Sequence, residues 1–369
     1  MKMKKKKYII LFFVILFYGC SQNNNLNHIK TYKIESEKET VFEVESISSF
    51  AGMISLETTK ESIIGRIRKV FLTDSVIIIW DEQTRYILLF DRSGKYIRRI
   101  GRRGPGPEEY REVADVYYEK NENKILVSDP SSRKVIEYDL CGNFFSSWRT
   151  AYCMYAFYPT IEGYWGFNSA QNDKKYHLIH VNRTDGKIDK GYFTGNDEIF
   201  LPYHVSNYFS ENEKNNDVIF HFPYHDTIYK IINKTLQPFL HIDFGKRKNT
   251  HNIYSKVFQS LKYDGKITNV HSYGDYLFFS FICYPDNEMQ SYNVFINLNE
   301  QTSTVFNFDV KHSSSTVVTP LPNLIGLSQG KLIYQINPQF LPKEVLKGFD
   351  KIFDITNESN PILVFYNIN

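Results

Sequence analysis

Ser75 to Ile97 reads SVIIIWDEQTRYILLFDRSGKYI, and Asn123 to Phe145 reads NKILVSDPSSRKVIEYDLCGNFF; laid over each other without gaps, the two stretches match. Ile77, Asp81, Arg85, Asp91 and Gly94 fall on Ile125, Asp129, Arg133, Asp139 and Gly142, and the apolar register between them is kept. Each unit reads as strand, turn, strand, turn, strand. A short continuous apolar run such as Ile77 to Trp80 suits a strand buried on both faces. The steps Asp91 to Gly94 and Asp139 to Gly142 suit hairpin turns, in which Asp bonds its own backbone and Gly accepts a positive φ.

Looser copies continue along the chain. Tyr164 to Ile188 gives a third unit, Val218 to Ile231 a fourth (VIFHF, then TIYKI) and Tyr276 to Leu298 a fifth (YLFFSFI, then YNVFINL). A sixth pairs Lys331 to Ile336 with the final PILVFYN, Pro361 to Asn367. Six units of about 50 residues predict an all-β fold, a six-bladed β-propeller with four-stranded antiparallel blades. An open array of six such units would need caps, which the sequence does not offer, whereas a ring leaves only short, protected edges. Helical signal is confined to Tyr254 to Leu261 and Pro342 to Phe349, read as short insertions between blades.

The bulk composition agrees. The 369 residues are 42% hydrophobic and 16% aromatic, with 27 Tyr and 29 Phe, enough to fill a large β core and incompatible with a disordered chain. The formal charge of +3 is misleading, because Lys2, Lys4, Lys5, Lys6 and Lys7 lie in a removable leader with no acidic residue before Cys20; without them the chain carries −2. Nucleic-acid binding loses its electrostatic basis.

That leader is residues 1–19: a cationic start, the apolar stretch Tyr8 to Tyr18, then Gly19 and Cys20. It has the form of a secretory signal and is too short to span a bilayer, which takes about 20 apolar residues. The ending Phe17-Tyr18-Gly19-Cys20 resembles a lipobox, which implies Cys20 as the lipid attachment site and the mature N-terminus. Acyl chains there would moor a soluble domain to a membrane. Residues 20–40, with Asn23, Asn24, Asn25 and Asn27 followed by mixed charges, read as a flexible tether of about 25 Å. Residues 41–369 are assigned to the propeller. Beyond Cys20 remain Cys141, Cys153 and Cys283, widely spaced, implying neither a disulfide framework nor a metal site.

Three stretches resemble the six-bladed β-propeller lipoproteins of Bacteroidetes, a family related to NHL-repeat propellers. They are Leu56-Glu57-Thr58-Thr59 with Ile63-Ile64-Gly65; IGRRGPGPEEY from Ile100 to Tyr110; and Asp226-Thr227-Ile228-Tyr229 with His241-Ile242-Asp243-Phe244-Gly245. The second is the most specific. The resemblance implies a lipid-anchored protein of the cell envelope at the outer membrane, and the uncharged Ser21-Gln22-Asn23 favours the periplasmic side over the cell surface.

The residues of IGRRGPGPEEY also have a physical reading of their own. Gly101, Gly104 and Gly106 let the backbone turn, and Pro105 and Pro107 stiffen it, as a connection from an outer strand to the next inner strand requires. The same loop beside Arg102 and Arg103 has the composition of a phosphate cradle, but no following helix or P-loop pattern supports one.

Other chemical signals are sparse. G-x-S-x-G, H-E-x-x-H and P-loop patterns are absent from the sequence and no cofactor is implied. His221 and His225 could share a strand face as metal ligands, though Pro223 interrupts the pattern and no third ligand is evident. Arg98, Arg99, Arg102 and Arg103 form a basic cluster, read as solvated and paired with Glu108, Glu109 and Glu112, or else as a site for an acidic ligand. Tyr152, Tyr155, Phe157, Tyr158, Tyr164, Trp165 and Phe167 are read as inter-blade core, with a sugar-binding surface as the alternative.

The functional expectation is a noncatalytic binding or scaffold module held at the envelope by lipid, engaging a glycan, peptide or protein. The competing expectation is a propeller enzyme, a lyase or hydrolase acting on polysaccharide through a central-channel site, since such sites are assembled from single residues on successive blades and leave no compact motif.

Overall fold

Val76 to Asp81, VIIIWD, is buried at every position, and the reason is that two neighbouring sheets need it at once. Ile77 and Ile79 point to one side and pack with Ile333, Leu363 and Phe365; Ile78 and Trp80 point to the other and pack with Val116, Ile125, Val127 and Ile136. Alternate side chains of one strand therefore serve two different interfaces.

The computed structural model describes residues 29–34, 47–150, 152–168, 176–194, 207–222, 225–244, 266–283, 290–307, 324–340, 355–356 and 358–369. Two strands, β1 (Lys30–Lys33) and β2 (Ser48–Ser55), precede the first complete blade. Blade 1 is β3 (Ile67–Leu72), β4 (Val76–Asp81), β5 (Tyr86–Asp91) and β6 (Tyr96–Arg99). Blade 2 is β7 (Asp115–Glu119), β8 (Lys124–Asp129), β9 (Lys134–Asp139) and β10 (Phe144–Arg149). Blade 3 is β11 (Ala156–Thr160), β12 (Gly163–Phe167), β13 (Tyr176–Asn182) and β14 (Ile188–Thr194). Blade 4 is β15 (Phe209–Asn212), β16 (Asp217–His221), β17 (Thr227–Ile232) and β18 (Thr235–Asp243). Blade 5 is β19 (Lys266–Tyr273), β20 (Tyr276–Cys283), β21 (Gln290–Asn297) and β22 (Thr302–Asn307); blade 6 takes β23 (Leu324–Ser328), β24 (Lys331–Ile336) and β25 (Ile362–Ile368). The six-bladed propeller expected from the repeat is the observed fold.

Blade 6 is completed by the other end of the chain. β2 pairs antiparallel with β25, from Ser48 opposite Ile368 to Ser55 opposite Ile362, so the N-terminal strand is the fourth strand of the last blade. Buried Asn360 fastens this join: its side-chain oxygen accepts the Ile64 N–H (2.8 Å), and its amide donates to the carbonyls of Glu57 (2.9 Å) and Ser62 (2.8 Å).

One reading is corrected. Residues 20–40 were expected to be a flexible tether, but Lys30–Lys33 form β1, which lies parallel to β18 as a fifth strand on the outer edge of blade 4. Tyr32 supplies the reason: it is buried against Leu240, Ile242 and their neighbours, while the strand backbone satisfies a sheet edge that would otherwise face solvent. The leader, Cys20 and the two expected helices, Tyr254 to Leu261 and Pro342 to Phe349, lie outside the described residues.

The repeated residues have repeated jobs. Asp81 accepts the N–H groups of Gly65 (2.9 Å) and Arg66 (2.7 Å), tying the start of β3 to the β4–β5 turn; Asp129 accepts the Arg111 N–H (2.8 Å) on the approach to β7. Arg85 and Arg133 close those turns with positive φ (61° and 50°). Gly94 and Gly142, at φ 90° and 83°, close the β5–β6 and β9–β10 turns. Gly94 also lies directly under the Ser55 carbonyl, whereas a methyl group at Gly142 would find nothing nearer than 3.6 Å.

This difference sets an expected ranking. Gly142→Ala should cost about 1–2 kcal/mol, the backbone penalty alone, and Gly94→Ala should cost at least about 1 kcal/mol more, because the methyl group displaces a neighbouring blade. Urea denaturation of the two variants checks the order.

Candidate functional site

The first strand of each blade, β3, β7, β11, β15, β19 and β23, lines the axis of the ring. These strands all begin on one face, here the loop face, and end on the other, the turn face. Connections from first to second strands, on the turn face, are short: residues 73–75, 120–123, 161–162, 213–216, 274–275 and 329–330. Connections between blades leave from the loop face and take up residues 56–66, 100–114, 150–155, 195–208, 244–265 and 308–323. The sequence that can vary without disturbing the blades is thus gathered on one side.

Between the inner strands lies a cavity of about 90 Å³, with lining residues from all six of them. Near its loop-face end the Lys69 ammonium meets the Asp115 carboxylate at 2.6 Å, with side chains 15% and 3% exposed. The second Asp115 oxygen accepts the Phe157 N–H (2.9 Å), so one carboxylate ties blades 1, 2 and 3 together. Near the turn face Lys120 pairs with Glu213 (2.5 Å), whose other oxygen accepts the Gly330 N–H (3.2 Å), while the Tyr117 hydroxyl donates to Glu211 (3.3 Å). Burial pushes the Tyr117 and Tyr158 hydroxyls far above the ordinary phenol range, so both remain neutral donors.

His271, on β19, borders this cavity and a second one of about 20 Å³ between blades 5 and 6. Burial, reinforced by the Lys69 ammonium, lowers its pKa to about 4, and its Nε2 has no hydrogen-bond partner among the described residues. The ring is therefore a neutral imidazole at physiological pH.

The residues singled out in the sequence scatter to other tasks. His221 ends β16 fully buried with its ring stacked over Tyr208, and His225 packs against Phe193 and Phe222. Pro223 and Tyr224 lie outside the described residues, among which no group of three or more His, Cys, Asp or Glu has a metal-binding arrangement. Phe157, Tyr164, Trp165 and Phe167 are core, Tyr164 stacked on Trp148, while Tyr152, Tyr155 and Tyr158 are half-buried. Cys141 is exposed and Cys153 half-buried, both as free thiols.

The Gly-Pro-Gly-Pro-Glu-Glu-Tyr loop cradles groups of its own chain. The Glu109 carboxylate accepts the Gly106 N–H (2.8 Å) and pairs with Arg102 (2.7 Å), filling the position an anion would take in the phosphate reading. Below it, the Lys134 ammonium donates to the carbonyls of Gly106 (3.0 Å), Pro107 (3.2 Å) and Glu109 (2.6 Å), and the Tyr138 hydroxyl donates to Glu108 (2.7 Å). Arg98 donates to the Cys141 carbonyl, and Arg99 donates to the Glu61 carbonyl and lies over Tyr86. Of the basic cluster, Arg102 is the member seen paired with an expected glutamate.

Residues 29–367 match a family described as a domain of unknown function, DUF4934. The chain belongs to the DUF4934 family. The match takes in the segment from Ile29 that contains β1 and runs through β25, so the extra strand on blade 4 and the shared sixth blade both fall within the DUF4934 unit. Among solved structures, the chain is similar to a protein of Bacteroides fragilis NCTC 9343 inferred to be exported, at 15% identity and a TM-score of 0.67, covering 92% of this chain and 99% of that one. It is also similar to a member of the DUF4221 family from Bacteroides vulgatus ATCC 8482, at 10% identity and a TM-score of 0.55, covering 87% and 98%. At these identities the likeness is one of fold. No curated protein matches the chain.

The channel residues Lys69, Asp115, Lys120, Glu211, Glu213 and His271 were not found by sequence reasoning. They are isolated residues spread over four inner strands or their ends, β3, β7, β15 and β19, and nothing local distinguishes them from surface residues.

Two consequences can be measured. Asp115→Asn leaves a mostly buried ammonium without its carboxylate and should lower unfolding free energy by about 3–5 kcal/mol, read from urea midpoints. His271 is neutral in the folded state down to about pH 4, while the unfolded imidazole takes up a proton below about 6.5. Its contribution is therefore complete above about pH 6.5 and declines as pH falls towards 4, by on the order of 3 kcal/mol in total. The stability difference between the wild-type protein and His271→Gln should shrink by that amount over this range.

Proposed function

We propose that this protein is an envelope-anchored binding module that engages its ligand on the loop face without chemical turnover. The observation that carries this reading is the asymmetry of the ring: short turns on one face, long connections on the other. Recognition residues concentrate on loops presented by a rigid scaffold.

The channel supports the same reading. A volume of about 90 Å³ falls well below the roughly 300 Å³ at which small-molecule sites begin. Its charged groups are engaged in joining blades, with Asp115 held by Lys69 and two backbone N–H groups and Glu213 held by Lys120 and Gly330. Acid–base work would require carboxylates released from those bonds.

The anchoring half of the proposal rests on the leader and on Cys20 as the acylated residue, which places the propeller on a membrane, at the outer membrane and facing the periplasm. A protein of the same fold from Bacteroides fragilis is itself inferred to be exported. From Cys20 to the first paired residue, Lys30, an extended chain reaches at most about 35 Å, so the outer edge of blade 4 is held close to the lipid.

Each half has its own test. The purified full-length protein, applied to arrays of glycans and peptides with product analysis, should retain a ligand and release no product. Product formation abolished by substitution of channel residues would establish the lyase or hydrolase alternative and overturn the reading. Cys20→Ala should move the protein from the membrane to the soluble fraction in the host; unchanged membrane partition would remove lipid as the anchor.

A further inference from the structure

The loop face of blades 1 and 2 carries a group of cations that no sequence window displays together. Arg85 and Arg133 occupy equivalent β-turns, after β4 and after β8; Arg103 and Arg111 lie on the connection from blade 1 to blade 2; Arg149 ends β10. All five are exposed, and none has a carboxylate partner among the described residues. The neighbouring acids are engaged elsewhere: Glu82 with Arg66 and Arg68, Glu109 with Arg102, and Glu112 with the Ser131 hydroxyl. Glu108 is exposed among them.

The arrangement works against stability. Arg149 stands directly opposite Lys134 in the β9–β10 ladder, a like-charge cross-strand pair of the kind that destabilises a sheet. Burial, together with the positive charges of Arg111 and Arg149, pushes the Lys134 pKa down against the pull of Asp129 and Glu109. A face on which unpaired cations crowd one another, on a mature chain whose net charge is negative, is electrostatically complementary to a polyanion.

A half-buried ring accompanies the cations. Tyr152 sits beside Arg133 and Arg149, joined through Thr150, which donates its N–H to the Arg133 carbonyl (2.7 Å) and its hydroxyl to the Tyr152 carbonyl (2.6 Å). Guanidinium forks match the oxygens of carboxylates and sulfates, and flat amphipathic rings match the faces of sugars.

We infer that the loop face of blades 1 and 2 is a docking surface for an acidic polysaccharide, one whose sugars bear carboxylates or sulfate esters. This rests on the binding reading above and names its ligand class. Contacts of this kind are weakened by salt, in proportion to the number of charges neutralised.

The test uses the full-length protein with four probes: polygalacturonate, dextran sulfate, neutral dextran and polyglutamate, plus vesicles containing phosphatidylglycerol. The triple variant Arg111→Gln, Arg133→Gln, Arg149→Gln removes three of the cations; the control Lys95→Gln, Lys187→Gln, Lys190→Gln removes three exposed charges elsewhere. Expected is binding to polygalacturonate, dextran sulfate or both, the stronger of the two identifying the anionic group. Neutral dextran should not bind. The arginine variant should lose at least tenfold in affinity and reduce the slope of log affinity against log salt, with a melting temperature equal to or above that of the wild-type protein, as relief of the Arg149–Lys134 repulsion requires; the control should stay within about twofold. Equal losses in both variants would reduce the effect to net charge and overturn the inference. Polyglutamate or vesicles binding as well as the acidic glycans would overturn it in favour of a protein or membrane partner. A ligand found on the arrays with no response to either acidic glycan would overturn the inference and leave the binding module standing, whereas no ligand of any kind would remove both.

Discussion

The structure depends on one constraint: each blade is apolar on both faces. Among the described residues, six separate apolar clusters form, one at each contact between neighbouring blades, including the contact that brings blade 6 back to blade 1. A row of such sheets would leave two apolar faces in water, and burying a single Ile or Phe side chain is worth about 1.5–3 kcal/mol. Closing the ring removes both faces at once. Because the last blade borrows its outer strand from the N-terminal segment, closure in space is also closure of the chain, and Asn360 holds the backbone where the two ends meet.

Closure determines what the axis can do. Six inner strands converging on one channel bring their side chains into competition for a volume of about 90 Å³, and charges placed there must pair or be excluded. Lys69 with Asp115, and Lys120 with Glu213, are that pairing, each linking strands from different blades. His271 takes the other course and stays neutral. The charged groups at the axis are thereby committed to joining blades.

The sequence made the ring legible and concealed its fastenings. The repeat at Ser75 to Ile97 and Asn123 to Phe145 exposed the blade because each position there is constrained by strand, turn and two interfaces together. β2 was missed because SSFAGMIS is an outermost strand with Phe50 and Met53 exposed, so no apolar periodicity announces it. β1 was read as tether because Tyr32 is the one buried residue among Lys30–Lys33, and its partner strand lies two hundred residues away. The candidate site was less legible still. Arg98, Arg99 and Arg102 are near neighbours in sequence but go to separate carbonyl, ring and carboxylate partners, while Arg85, Arg103, Arg111, Arg133 and Arg149 are brought to one face by topology.

That basic face also explains the most specific motif in the chain. The repulsion between Arg149 and Lys134 is offset because the Lys134 ammonium donates to three carbonyls of the Gly-Pro-Gly-Pro-Glu-Glu-Tyr loop. Those carbonyls converge because the loop is wound around Glu109 and fastened at Tyr138 and Tyr110, a path in which Gly101 takes φ 64° and sits against both tyrosine rings. The motif is then not a cradle for a foreign anion but a sink for one of the chain's own cations. By absorbing Lys134 it permits the surrounding arginines to stand unpaired on the surface, so the loop and the basic face act as one device.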